Sequence, residues 1–166
     1  MGLLIILDLF IAQKFGRTME EWDRLDSRID HASVGAIVTI LFIIRIYLRV
    51  RHGAPPLPAG MTDWQVWIAK ASHFLMYLFI GVLIISGLVT AANAASPIPL
   101  FGVLDITIGQ SNEDFFQVIR PVHEFATNAV IVLIVIHILA ALYHYFVARD
   151  DSTQRMLRFW HSEKHG

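Results

Sequence analysis

The sequence contains no cysteine. That excludes disulfides, thioether attachment of a c-type haem, iron–sulfur clusters and thiolate zinc sites within these 166 residues. Any redox cofactor must be held by histidine or methionine. Charge is also scarce: 16% of the residues are charged and the formal net charge is −1. There is no electrostatic case for nucleic acid as a partner. No internal repeat and no low-complexity tract is visible. What dominates is apolar sequence, 55% of the chain with a mean hydropathy of +0.56, too apolar for a soluble domain of this size.

The apolar residues fall into runs of membrane length, since about 20 residues of helix cross the hydrocarbon. Ala32 to Leu48 is interrupted only by Thr39 and Arg45, with His31 at its mouth. Ala71 to Ala95 carries His73 near its start, and Ala126 to Ala148 carries His137 and His144. The N-terminal MGLLIILDLFIAQ has 13 residues before Lys14. That is about 20 Å of helix against a core of about 30 Å. It lacks a basic leader, Asp8 interrupts it, and no small-residue cleavage site follows, so it is no signal peptide. It reads as a membrane helix whose first turns are missing. The expected fold is all-α, an integral membrane four-helix bundle with spans at about 1–14, 31–50, 70–95 and 121–148.

The connectors differ in character. Lys14 to Asp30 is polar, with four basic and five acidic residues. RVRHGAPPLPAGM, residues 49–61, holds three of the six prolines and cannot be helical throughout. Trp64 and Trp67 suit the aromatic belt at a membrane surface. Ser96 to Arg120 is the longest connection, with Pro97 and Pro99 breaking the preceding helix. With four spans, Arg45, Arg49, Arg51, Lys70, Arg149, Arg155, Arg158 and Lys164 share one side, eight against five for Lys14, Arg17, Arg24, Arg28 and Arg120. The positive-inside rule then puts both termini in the cytoplasm.

The segment PVHEFATNAVIVLIVIHILAALYHYF places His123 and His137 fourteen residues apart on one apolar helix. At about 100° and 1.5 Å per residue, the two rings point within roughly 40° of each other and lie about 21 Å apart. Ligating residues at membrane depth are costly and mark function by default. Two imidazoles on one face at two depths suit two haems. In the topology above, His31 and His123 lie at matching outer depth and can clamp one iron axially. An iron held by two imidazoles has no open position, which favours electron transfer over oxygen binding. Ala32, Gly35, Ala140 and Ala141 leave room for a porphyrin. His137 needs a partner at inner depth. The candidates are His73 and a histidine one or two residues before Met1. His144, two turns beyond His137, is in reach of a haem propionate or a quinone; for His73 and His144 the plain alternative is placement in the headgroup layer.

The helix-opening His31, the segment IIRIYLRVRHGAPP, the third span AKASHFLMYLFIGVLIISGLV and the ending VHEFATNAVIVLIVIHILAALYHYF resemble the prokaryotic cytochrome b561 family across nearly the whole chain. The resemblance implies one membrane cytochrome b domain over residues 1–166 in a bacterial inner membrane. It implies non-covalent haem b, with His31 and His123 as ligands of the outer haem and His137 of the inner one. The family's fourth ligand is a His at the start of span one. Met1 stands about where the residue after that His–Trp pair falls, so two haems are expected only in a chain that begins earlier. Members include superoxide oxidases, so the resemblance implies a superoxide:ubiquinone oxidoreductase, taking electrons from superoxide outside and giving them to ubiquinone. Arg120, three residues before His123, is a candidate guide for the anion, or else a propionate partner or interfacial anchor. The quinone is expected along His137, His144 and Arg149, with Arg45 and Arg49. Two other classes stay open. One is a quinone-linked cytochrome b subunit of a hydrogenase- or formate-dehydrogenase-like complex, fed by a redox partner protein. The other is a non-redox, histidine-lined metal or proton conductor.

Overall fold

The computed structural model describes residues 1–12, 20–54, 61–108 and 112–148. The fold is all-α with one small hairpin: α1 (Gly2–Ala12), α2 (Glu21–His52), α3 (Asp63–Ala92), strands β1 (Pro99–Leu100) and β2 (Leu104–Asp105), then α4 (Glu113–Tyr143), which runs into a π-helical turn at His144–Ala148. Among the described residues, three stretches are long and apolar enough to cross a membrane: Asp23–His52, Asp63–Ala92 and Asp114–Val147. α1 is apolar but shorter. Large apolar side chains such as Ile43, Ile85, Leu88, Val132 and Leu139 are exposed along the long helices, as lipid rather than water requires.

Each long helix begins well before its apolar run. α2 starts ten residues ahead of His31, α3 takes in Trp64 and Trp67, and α4 starts at Glu113 and not after Arg120. Local chemistry explains the starts. Gln65 Oε1 accepts from Thr62 twice, from its N–H at 2.8 Å and from its hydroxyl at 2.9 Å. Asn112 Oδ1 accepts the Phe115 N–H at 3.1 Å. Pro121 consequently lies inside α4, where it has no N–H for the carbonyl four residues back. α2 stops because Gly53 takes a φ of 75°, and its N–H closes on the Arg49 carbonyl. His52 is thus the last residue of a helix and not part of a loop. Lys14, Arg17, the prolines at 55, 56 and 58, Arg149, His161 and His165 lie outside the described residues.

The chain divides into two compact units. The first takes in Met1–Ala54 and Phe79–Asn128. Here α1 lies along α2, and Ile5, Val38, Phe42, Ile80, Ile98 and Ala126 are its buried apolar side chains. The Phe42 ring lies at ordinary contact distance, 3.9 Å, from where a Cβ on Gly81 would stand. Phe79 meets Phe125 edge to face. The second unit takes in Pro55–Leu78 and Ala129–Gly166, with Val130 fully buried among its described residues.

The hairpin belongs to the first unit. Phe101 and Gly102 have φ of 53° and 73°, and the Val103 N–H returns to the Leu100 carbonyl at 3.0 Å. With Leu100 paired to Leu104, residues 101–103 form a three-residue hairpin loop. Phe101 has an uncommon conformation for a non-glycine residue. Its N–H is held at 2.8 Å by the buried Ser33 hydroxyl of α2, which itself donates to the Ile29 carbonyl. Asp105 Oδ1 closes the base by accepting from the N–H groups of Thr107 and Ile98. The Thr107 N–H, more than its hydroxyl, holds the Asp105 carboxyl below the usual range. That contribution is present at neutral pH and disappears as pH falls through the lowered value. Ser33→Ala removes the acceptor for Phe101 and is expected to cost about 1 kcal/mol. A lower thermal midpoint and faster nicking of the hairpin by protease would register it; an unchanged nicking rate would mean the hairpin is held elsewhere.

Candidate haem sites

His31 lies in the third turn of α2, facing α1. Its Nδ1–H donates to Oδ1 of Asp8 at 2.8 Å. His123 lies on α4, facing α3. Ser86 gives its hydroxyl hydrogen to the Val82 carbonyl at 2.6 Å, so its oxygen accepts the Nδ1–H of His123 at 2.8 Å. With both rings donating through Nδ1, Nε2 would be the ligating nitrogen of each.

The two rings face each other. Their centres are 6.2 Å apart and their planes 85° apart. A metal–imidazole bond is about 2.0–2.1 Å, so two rings sharing one ion put their centres roughly 6 Å apart. Space for a flat macrocycle is also provided. Gly35, one turn beyond His31, has nothing within 4 Å of where a Cβ would stand. At Gly87 a Cβ would come 3.3 Å from Cε1 of His123, so glycine there lets the ring take its position. Among the described residues no three His, Cys, Asp or Glu converge on one point. Two imidazoles are what a porphyrin iron needs, its other four positions being taken by the ring. The residues fit a haem.

In the second unit His137 of α4 and His73 of α3 form another imidazole pair, with ring centres 5.7 Å apart and planes inclined by 57°. His73, one of the partners open to His137 from the sequence, lies against it. His144 opens the π-helical turn, its ring 5.8 Å from that of Tyr143. Single π turns inside helices are frequent at functional sites. Arg45 and Arg49 are exposed on α2 in the first unit. Arg120 donates through Nε to Glu124 at 2.7 Å, an exposed pair one turn apart. Arg24 and Arg28, also one turn apart, line a cleft with Leu25 and Ser96.

A family profile described as prokaryotic cytochrome b561 matches residues 1–159. The chain belongs to the prokaryotic cytochrome b561 family. It is 27% identical over 141 residues to a probable superoxide oxidase CybB of Yersinia pestis, covering 85% of this chain and 78% of that one. It is 32% identical over 132 residues to cytochrome b561 homolog 2 of Escherichia coli, covering 76% and 68%. Cytochrome b561 homolog 1 of the same organism is 25% identical over 130 residues, covering 78% and 74%. Membership in the b561 family implies haem b and electron transfer in a membrane, and it leaves the donor and acceptor to be decided by the sites.

Reasoning from sequence paired His31 with His123 and left His73 as one candidate beside His137, but it missed what lies behind the first pair. Asp8 registered only as an interruption of an apolar run, although a carboxylate there is costly enough to demand a partner. Ser86 carried no signal at all: a serine on an apolar helix ordinarily bonds back to its own backbone, and this one does that as well.

Proposed function

We propose that this b561 protein is a superoxide:ubiquinone oxidoreductase of a bacterial inner membrane, with His31 and His123 as axial ligands of one haem b. The observation that carries the haem assignment is the opposed imidazole pair, 6.2 Å between centres, each ring held through Nδ1. Bound haem supplies a one-electron couple with no open coordination position. In the overall reaction two superoxide anions give one electron each and leave as O2; one ubiquinone takes the two electrons and two protons to become quinol.

In this reading the end of the helices bearing His31 and His123 faces outward, and both termini lie in the cytoplasm, as the Lys and Arg distribution favours. Arg120 is neutralised by Glu124 and serves as an interfacial anchor. His137 and His73 flank the second haem on the cytoplasmic side. His144 is the quinone contact, since imidazole can hydrogen-bond a quinone carbonyl and pass a proton near neutral pH. The relative from Yersinia pestis, named a probable superoxide oxidase, supports this choice of donor.

The test supplies superoxide and a ubiquinone analogue to purified holoprotein. Rapid haem reduction, quinol formation and release of two O2 per quinol are expected, with His144→Ala slowing quinol formation more than haem reduction. Haem that is reduced by quinol but not by superoxide would instead make the protein the quinone-linked subunit of a dehydrogenase complex.

A further inference from the structure

Asp8 is the only charged residue of α1, GLLIILDLFIA, and its side chain is 16% exposed. A carboxylate on so apolar a helix is unfavourable unless its charge is used. It is aimed at one atom that matters, Nδ1 of His31, at 2.8 Å. The opposite ligand is treated differently. His123 donates to a neutral serine hydroxyl whose own hydrogen is already committed to the Val82 carbonyl. The two axial imidazoles therefore have unequal partners, one anionic and one neutral.

We propose that Asp8 is a positioning residue that makes His31 the stronger electron donor of the pair and holds that haem at a low reduction potential. The proposal rests on the reading of His31 as an iron ligand. The physical argument is general. A carboxylate that accepts the outer N–H of a ligating imidazole raises the basicity of the inner nitrogen and fixes the ring's orientation. Both the greater basicity and the nearby negative charge favour ferric over ferrous iron, and second-shell hydrogen bonding is one of the levers that set haem potentials. A low potential at the His31–His123 haem suits it to pass electrons onward, because electrons run from lower to higher potential. It remains reducible by a donor as strongly reducing as superoxide.

The experiment is a potentiometric titration of the haem-loaded protein, following each haem by its own absorption band. Asp8→Asn keeps the size and an acceptor oxygen but removes the charge. One haem should become about tenfold more reduced at a fixed ambient potential, which for one electron is a rise of about 59 mV. The other haem should not move. Asp8→Glu, which keeps the charge, should stay closer to wild type, and Ser86→Ala should shift the potential less than Asp8→Asn. Unchanged potentials in Asp8→Asn, or equal shifts in both haems, would overturn the proposal. Should Asp8→Asn fail to retain the haem, Asp8→Ser copies the hydroxyl that serves His123 and allows the same measurement. Loss of haem from both, with Asp8→Glu intact, would make the carboxylate a folding contact and also overturn it. The ligand reading fails separately: His31→Ala that keeps this haem low-spin would sink it, whereas His31→Ala that loses the haem while Asp8→Asn leaves the potential unmoved would sink the role of Asp8 alone.

Discussion

Replacing His31 by Ala and, separately, His123 by Ala should abolish the same low-spin haem signal. Each removes one of two ligands from one iron, and the remaining imidazole cannot close the axis alone. The ring geometry adds a signature to the intact protein. Planes 85° apart leave the two π-type iron orbitals nearly equal in energy. The ferric haem should therefore give a strongly anisotropic low-spin electron paramagnetic resonance signal, and that signal should vanish from both variants. His52→Ala is the control, since His52 ends α2 with its Nδ1 beside the Leu48 carbonyl. Two variants that lose different haems would show that the pairing of α2 with α4 is wrong. The haem itself should leave the chain completely in acid–acetone, because there is no cysteine to hold it covalently.

His137→Ala should remove a second haem that the His31 and His123 variants retain. His73→Ala should disturb that same haem and leave the first untouched. The reason is position: the His73 and His137 rings are 5.7 Å apart and inclined by 57°, so any group bound through His137 meets His73. Haem content by pyridine haemochrome, with low-temperature spectra to separate the two bands, is the measurement. A His73 variant that alters the His31–His123 haem, or neither, would break the pairing of α3 with α4.

Helix count, the apolar spans and the histidine face of α4 were readable because lipid imposes a strong rule. Every backbone group must be satisfied within the helix, so spans announce themselves as long apolar runs. Helix starts were not readable at the same level. α2, α3 and α4 extend past their apolar runs into polar sequence, where hydropathy has nothing to report; Gln65 and Asn112 cap α3 and α4, and α2 starts after Glu20 without a side-chain cap. The hairpin at residues 99–105 was also hidden, since its three-residue loop holds Phe101 at positive φ, a conformation uncommon for a non-glycine residue.

The histidines divide in the same way. Their type and spacing on an apolar helix, with no cysteine anywhere, narrowed the holder of a redox group to histidine or methionine from the sequence alone, and helical geometry put His123 and His137 within roughly 40° of each other. Spacing is a property of a single helix, so it could say no more than that. Which ring meets which, and what stands behind each ring, are contacts between residues 23, 37, 64 and 92 positions apart, and only the approach of α1 to α2, of α2 to α4 and of α3 to α4 makes them. The tertiary structure therefore decided that Asp8 and Ser86 orient the two opposed imidazoles, because a hydrogen bond is set by distance in space and leaves no periodicity along the chain.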